Sequence, residues 1–412
     1  MLYFLFFFYL AVGCFFINKI RFIKNSELSN GNILLLFIVK IAAGIVFGYM
    51  LLRVYPGNDA WALNEYGRQE YQLLVKHPAV FFSDIFKSNY GENYGSLFGS
   101  SHSYWNDLKL NFLIKIVALL NIFSRGNYYI NSLFFNFLCF IGHIALYRVF
   151  INIYPCKKWM VITGCILLPS ALFFSSGLDK DCIVFALLCL LCYSLYFSLK
   201  RGFNLKKSAS IFLCAALLFI IRNYVVVIFI LPMLAWIFCK KYHVKAGRTF
   251  LAVFLFTFIC LLFIQSFLPG ISPLNIIVQK QQDFYTIHIA NTQLATDTLM
   301  PTIKSFMVAA PKAFAHVFTE PHPFEFSATI LNIFSIEVLG YWGLFILMLF
   351  YFHPSKQNDP FIFFSIVFAL TMMLFIGYIV PNAGSIIRYR SIYLPFLITP
   401  VLCSIKLKPN KY

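Results

Sequence analysis

The sequence predicts an all-α protein, a polytopic bundle of transmembrane helices that forms a single integral membrane domain over residues 1–412. Of its 412 residues, 60% are hydrophobic, 19% aromatic and only 12% charged, and the mean hydropathy is +0.78. Soluble domains carry about a quarter charged residues, so this composition excludes a soluble fold. The apolar segments are long and unbroken, whereas the strands of a membrane barrel would alternate in polarity at every second residue.

The net charge of +18 reflects membrane orientation. The basic residues cluster in short segments between the apolar runs, which is how cytoplasmic loops are marked in membrane proteins. The segments predicted to lie inside contain only two acidic residues, Glu27 and Asp359, whereas basic and acidic residues nearly balance outside. No segment resembles a nucleic-acid-binding domain, so we expect no nucleic acid partner.

The charge pattern predicts about 11 spans, with the N-terminus outside and the C-terminus in the cytoplasm. Two long outer loops, 53–109 and 268–326, interrupt the series, and amphipathic stretches at 60–75 and 108–123 predict helices lying in the membrane interface. The predicted spans are 1–17, 33–52, 128–153, 159–174, 182–199, 209–221, 224–239, 250–267, 328–352, 361–380 and 391–405.

One outer tip carries an unusual concentration of charge. The run from Pro169 to Asp181 reads PSALFFSSGLDKD, so Asp179, Lys180 and Asp181 follow a Ser-Ser-Gly turn that needs no charge to reverse the chain. Either aspartate suits the N-cap of the following helix. A helix N-terminus facing one side of a membrane is also an anion site, and the sequence leaves both interpretations open.

Three arginines fall on the predicted outer side, where basic residues are least expected: Arg222, Arg388 and Arg390. One explanation is a phosphate or pyrophosphate at the outer leaflet, which arginine binds through two parallel hydrogen bonds. The other is that these side chains reach lipid headgroups or pair with outer acids.

Asp59 stands where the chain leaves the membrane, in the run Tyr55 to Trp61. A carboxylate there suits a general base that takes the proton from a sugar hydroxyl attacking an anomeric carbon. The alternative is an N-cap for a helix beginning at Ala60.

The eight histidines form no metal-binding pattern. His316 and His322 share the second outer loop with Glu320 and Glu325, but without an ordered ligand spacing. We interpret this proline-rich stretch as a loop that covers a cleft, with zinc as the alternative. The sequence therefore predicts no cofactor and no metal site, and it leaves open, without indicating it, that a divalent metal assists.

The predicted layout resembles the GT-C fold of polyprenyl-phosphate-dependent glycosyltransferases, such as the protein O-mannosyltransferases and aminoarabinose transferases. The shared features are an aspartate at the membrane exit in a first long outer loop, two interfacial helices, and a short acidic tip two spans later. The resemblance extends roughly over residues 34–239. It implies that Asp59 is the catalytic base, that Asp179 and Asp181 form the second acidic tip, and that Lys180, Arg222, Arg388 and Arg390 hold the donor phosphate.

The implied function is transfer of a sugar from a polyprenyl-phosphate-linked donor to a glycan, lipid or protein acceptor at the outer leaflet. The implied place is the bacterial inner membrane, in polysaccharide biosynthesis for the cell envelope, with membrane lipid, donor and acceptor as partners.

Two features differ from the GT-C pattern: an extra span before Asp59, and no extracytoplasmic domain expected after the last span. Together with the Gly57-Asn58-Asp59 exit and the late outer arginines, they resemble exopolysaccharide and O-antigen polymerases, the alternative function. A transporter or flippase for a lipid-linked glycan ranks third. Such proteins are expected to carry ionisable residues at mid-membrane depth, and this sequence has few of them. Only Lys40, His143 and Glu337 lie within the apolar runs at such depth.

Overall fold

The computed structural model describes residues 2–55, 58–87, 103–267, 272–287, 292–323, 329–352 and 359–406. All named elements in these ranges are helices, and the pairing of extended chain is limited to two isolated bridges. The predicted all-α class is therefore confirmed. The helices are α1 (Leu2–Lys19), α2 (Arg21–Lys24), α3 (Asn30–Val54), α4 (Asp59–Lys76), α5 (Pro78–Ser83), α6 (Tyr104–Ser124), α7 (Tyr128–Ile153), α8 (Lys158–Ile162), α9 (Pro169–Phe174), α10 (Lys180–Arg201), α11 (Leu205–Tyr242), α12 (Ala246–Phe267), α13 (Pro273–Ile287), α14 (Ile303–Thr319), α15 (Thr329–Tyr351), α16 (Pro360–Ile379) and α17 (Ala383–Ser404).

Polar side chains define where several of these helices begin. The hydroxyl of Ser29 accepts the Asn32 amide at the start of α3, and Ser103 does the same for Asn106 at the start of α6. Asp359 accepts the amide of Phe361, with Pro360 as the first residue of α16. Each contact satisfies one of the amides that a first helical turn leaves without a partner.

Eight helices in the described ranges are long and apolar enough to cross a membrane: α1, α3, α7, α10, α11, α15, α16 and α17. Two shorter apolar helical segments, Lys158–Leu167 and Ala246–Thr257, overlap the predicted spans 159–174 and 250–267. The first of these contains a π-helical turn, Thr163–Leu167. This finding supports a multi-pass helical membrane protein.

A break in α11 lies where the sequence predicts a turn between two spans. The helix has 38 residues, and Arg222 within it has the non-helical angles φ −147° and ψ 80°. The indole N–H of Trp105 donates to the carbonyls of Phe219 (3.3 Å) and Ile220 (3.1 Å), just before the break. Those carbonyls therefore have a donor although the regular helical ladder is interrupted.

The chain divides into two compact units. The first comprises Met1–Val149, Ala171–Ser198 and Phe203–Asn223. In its core, α7 and α10 pack so closely that only glycine fits at position 142. A Cβ there would lie 2.6 Å from the Ala186 Cα. Helices α4 and α6 also pack along each other, and a Cβ on Gly67 would meet Val117 at 2.4 Å.

The second unit comprises Phe150–Ser170, Leu199–Gly202 and Tyr224–Tyr412. Its core is aromatic: Trp236 of α11 packs against Phe361 and Phe364 of α16, with ring centroids 5.2 and 4.9 Å apart. On the other side of α16, Gly377 is so close to α14 that an added Cβ would lie 2.2 Å from the Ala313 carbonyl oxygen.

Candidate functional site

Asp59 is the first residue of α4 and does not cap it. The N-cap is Asn58, whose side-chain oxygen accepts the Trp61 amide at 3.1 Å. The Asp59 side chain is 71% exposed, so its carboxylate is open to solvent or to a bound molecule. The capping role that the sequence allowed for Asp59 thus belongs to the preceding residue.

Aromatic packing fixes the start of α4 in the first unit. The Trp61 ring stacks on Tyr128 of α7 with centroids 4.1 Å apart and an interplanar angle of 8°. Its indole N–H donates to the Gly48 carbonyl of α3 at 3.0 Å. Because Asp59 lies two residues before this anchor, its backbone is held against both α3 and α7.

Lys180 brings the charged tip to Asp59. The Lys180 ammonium lies 3.5 Å from the Asp59 carboxylate, and the Lys180 side chain is 27% exposed. Such a partly exposed pair contributes less than about 1 kcal/mol, so it can open at little cost when another anion approaches. Two predicted site residues that are 121 positions apart therefore meet.

Asp181 forms a second, buried pair with Arg222. Its carboxylate accepts a hydrogen bond from the Arg222 guanidinium, and the two side chains are 1% and 5% exposed. Asp181 lies in the first turn of α10, where a carboxylate is favoured by the helix dipole. Arg222 lies at the break in α11, and the broken helix directs it to this acid.

Asp179 is also buried, at 5% exposure, immediately before α10. Its carbonyl accepts the Cys182 amide at 3.2 Å, which closes the first turn of the helix. This tip packs closely against α3, and a Cβ on Gly177 would lie only 2.1 Å from the Phe47 ring. The first unit thus brings together Asp59, Asp179, Lys180, Asp181 and Arg222.

A buried lysine that the sequence analysis left out of the site holds the base of this tip. Lys40 of α3 is fully buried, and its ammonium donates to the Ser175 carbonyl (2.8 Å), the Ser175 hydroxyl (2.9 Å) and the Ser176 hydroxyl (3.1 Å). His143 Nε2 lies 3.3 Å from the same ammonium and 3.1 Å from the Ser175 hydroxyl. The sequence marks Lys40 and His143 as ionisable residues in apolar runs, without indicating that they meet.

The same turn is fixed from α7. The Asn136 amide donates to the Ser176 carbonyl at 2.7 Å, and a Cβ on Gly44 of α3 would lie 2.2 Å from that carbonyl oxygen. Residues 175–179 therefore have little freedom, and the position of Lys180 follows from contacts with α3 and α7.

The arrangement combines an exposed carboxylate, an adjacent ammonium and a buried ion pair. Partial burial raises the pKa of the Tyr55 hydroxyl, four residues before Asp59. The Asp59 carboxylate can accept a proton from a bound hydroxyl, and Lys180 can bind an anion.

Arg388 and Arg390 belong to the second unit, on α17. Arg390 is 1% exposed and donates to the carbonyls of Val317 and Glu320 (2.8 Å to Glu320) at the C-terminal end of α14. It therefore supplies donors to carbonyls that a helix end leaves free, a role that the sequence analysis did not consider. Arg388 is half-buried. Phosphate binding by the two arginines stays a prediction.

Near Arg390, Glu337 of α15 is buried and accepts the Ser170 amide with both carboxylate oxygens at 3.1 Å. In the second outer loop, His322 Nε2 lies 3.9 Å from the Glu320 carboxylate, and Glu325 lies outside the described residues. The described part of the chain contains no group of three or more histidine, cysteine, aspartate or glutamate residues that could hold a metal ion.

Comparison with known proteins gives no relative: no family model, no curated protein and no solved structure matches this chain.

Proposed function

We propose that the protein is a membrane glycosyltransferase that moves a sugar from a polyprenyl-phosphate-linked donor to a hydroxyl of a glycan, lipid or protein acceptor. The observation that carries this proposal is the exposed Asp59 carboxylate 3.5 Å from the Lys180 ammonium, at the end of the apolar helix α3. A base and an anion-binding group then lie where a lipid-linked donor and a hydrophilic acceptor would meet.

In the proposed reaction the acceptor oxygen attacks the anomeric carbon of the donor sugar. A new carbon–oxygen bond forms, the bond from the anomeric carbon to the phosphate oxygen breaks, and the polyprenyl phosphate leaves with that electron pair. Asp59 takes the proton of the attacking hydroxyl, which is the general-base role. Lys180 exchanges its contact with Asp59 for the donor phosphate, which frees the carboxylate as the donor binds.

The buried pair of Asp181 and Arg222 supports the site in a different way. Asp181 is held by Arg222 and lies in the first turn of α10, next to Lys180. We propose that the pair positions Lys180 and that its net charge near zero leaves the ammonium free to attract the donor. The roles of Asp179 and Asp181 in catalysis, and of Arg222, Arg388 and Arg390 in phosphate binding, are part of the same proposal.

The proposed topology has 11 spans with the N-terminus outside, at the inner membrane of a bacterium. In this proposal α11 counts as two spans, one on either side of Arg222, and the shorter apolar segments Lys158–Leu167 and Ala246–Thr257 are the two further spans beside the other seven long apolar helices. A polymerase that joins lipid-linked repeat units would use the same base and donor chemistry.

The decisive experiment is Asp59→Asn in cells that lack the native gene, with surface glycans measured by mass spectrometry. Asparagine keeps the size of the side chain and removes its basicity, so transfer should slow by about 100-fold or more. Glu65→Gln is the matched control, because Glu65 is an exposed carboxylate on the same helix that pairs with Arg68 at 3.0 Å. Normal glycan output from the Asp59→Asn cells at normal protein level would refute Asp59 as the base.

A transporter or flippase for a lipid-linked glycan is the second candidate, favoured by the buried contact of Lys40 with His143. Ionisable residues buried in this way mark transport pathways in membranes. The leaflet in which the lipid-linked precursor accumulates distinguishes the two candidates. An inactive transferase leaves the precursor exposed to an impermeant sugar oxidant outside, and an inactive transporter leaves it protected inside.

A further inference from the structure

The second unit contains a long groove on its surface. It runs between the second half of α11 and the start of α12, which are joined by a short turn, and has a volume of about 1130 Å³. Most of its length is lined by apolar side chains, among them Leu234, Phe238, Ala252 and Phe256. Three of these are strongly exposed: Leu234 at 52%, Phe238 at 49% and Phe256 at 68%.

The turn end of the groove is basic. Lys241, Lys245 and Arg248 line it there, and all three are exposed. None of them forms a salt bridge with another residue that the structure describes. The sequence also offers no acid nearby in the chain, because residues 182–282 contain neither aspartate nor glutamate. This end of the groove therefore has positive charge that no acid among the described residues neutralises.

We propose that the groove binds an anionic phospholipid, with its acyl chains along α11 and α12 and its phosphate among Lys241, Lys245 and Arg248. The apolar length and the charged end match the two parts of such a lipid. Arginine binds phosphate oxygens through two parallel hydrogen bonds, and lysine adds a point charge. Basic pockets between membrane helices recognise anionic headgroups by this chemistry.

A second copy of this chain fits the groove less well than a lipid. In a two-fold symmetric contact the same surface meets itself, so Lys241, Lys245 and Arg248 would face identical cations. An anionic lipid removes this repulsion and covers the exposed apolar side chains at the same time.

The test uses the full-length protein in detergent and native mass spectrometry with two probes, phosphatidylglycerol and phosphatidylcholine of identical acyl chains. Phosphatidylglycerol should be retained at least about tenfold more strongly than the zwitterionic lipid. Replacing the three cations (Lys241→Gln, Lys245→Gln, Arg248→Gln) should weaken its binding by about 100-fold, since each basic residue near a headgroup contributes a factor of about five.

Two matched controls separate this site from general effects. The first control removes the same number of positive charges from exposed positions outside the groove, with the substitutions Lys200→Gln, Arg201→Gln and Lys206→Gln. This variant should retain phosphatidylglycerol as strongly as the native protein. Ala252→Trp fills the groove and should weaken the binding of both lipids. Leu255→Trp, at an exposed position of the same helix, should leave the binding of both lipids unchanged.

Three results would overturn the proposal. The first is equal retention of the two lipids by the native protein. The second is an equal loss of phosphatidylglycerol binding in the groove triple variant and in the control triple variant. The third is a dimer that Ala252→Trp dissociates while lipid retention is unchanged. The last result would assign the groove to a second copy of the chain.

Discussion

The Asp181 carboxylate and the Arg222 guanidinium form a hydrogen-bonded ion pair in which both side chains are buried. Removing one partner of such a pair leaves an uncompensated buried charge, which costs about 3–5 kcal/mol. We expect Asp181→Asn and Arg222→Gln each to lower the free energy of unfolding by that amount. The double variant should recover most of the loss, because neither charge then remains.

The measurement is a double-mutant cycle from thermal unfolding in detergent. The exposed pair of Glu65 and Arg68, with side chains 53% and 56% exposed, is the control, and its coupling energy should stay below about 1 kcal/mol. A coupling between Asp181 and Arg222 as small as that of the control pair would contradict a buried ion pair.

Arg390 is predicted to stabilise the second unit through the end of α14. Arg390→Ala removes the donors to the buried carbonyls of Val317 and Glu320, so we expect a loss of about 3 kcal/mol in the free energy of unfolding. Arg390→Lys should lose less, because the ammonium retains the charge and one hydrogen bond. Thermal unfolding without any ligand measures this effect.

Phosphate binding by Arg388 is tested separately, by the rise in melting temperature when a polyprenyl phosphate is added. Arg388→Gln should reduce that rise while leaving the melting temperature of the free protein near its native value, since Arg388 is only half-buried. An unchanged rise in both the Arg388→Gln and Arg390→Lys variants would refute phosphate binding by these arginines.

Lys40 provides a test of the network at the charged tip. Lys40→Met keeps the length of the side chain but removes the donor to the Ser175 carbonyl and to both serine hydroxyls. Each buried acceptor left without a donor costs about 1–3 kcal/mol, so the variant should melt at a clearly lower temperature. Leu35→Met, at a 61% exposed position of the same helix, should change nothing.

If Lys40→Met melts like the native protein and abolishes movement of a lipid-linked glycan, Lys40 belongs to a transport pathway. That result would favour the second candidate function over glycosyl transfer.

The predicted orientation can be read from a native thiol. Cys156 is the exposed member among the described cysteines, and it adjoins the basic pair Lys157 and Lys158 on the predicted inner side. A membrane-impermeant maleimide should label it only after the membrane is permeabilised. In a Cys156→Ser background, Glu65→Cys should be labelled in intact spheroplasts. The reverse pattern would invert the topology.

Composition and hydropathy were sufficient to predict the helical class and the break at Arg222, because both depend on local sequence. Asp59 and Lys180 are each predicted as site residues from the sequence, and in the first unit their side chains lie 3.5 Å apart. The contact of Lys40 with His143 could not be predicted, since it joins residues 103 positions apart and depends on how α3 and α7 pack. Likewise, the role of Arg390 depends on where α14 ends, which no local pattern around Arg390 encodes.

The burial of Lys40 also bears on how the chain is made. Helix α3 leaves the ribosome long before the residues that satisfy its ammonium, because Ser175 and Ser176 follow 135 and 136 positions later. At about 5–20 residues per second, this delay lasts roughly 7 to 27 s. During it, a lysine at the centre of an inserting helix costs about 2.5–3.5 kcal/mol. The leucine, isoleucine and phenylalanine residues of α3 must offset that cost alone, so substitutions that make this helix less apolar would lower the yield of inserted protein before they affected its folded state.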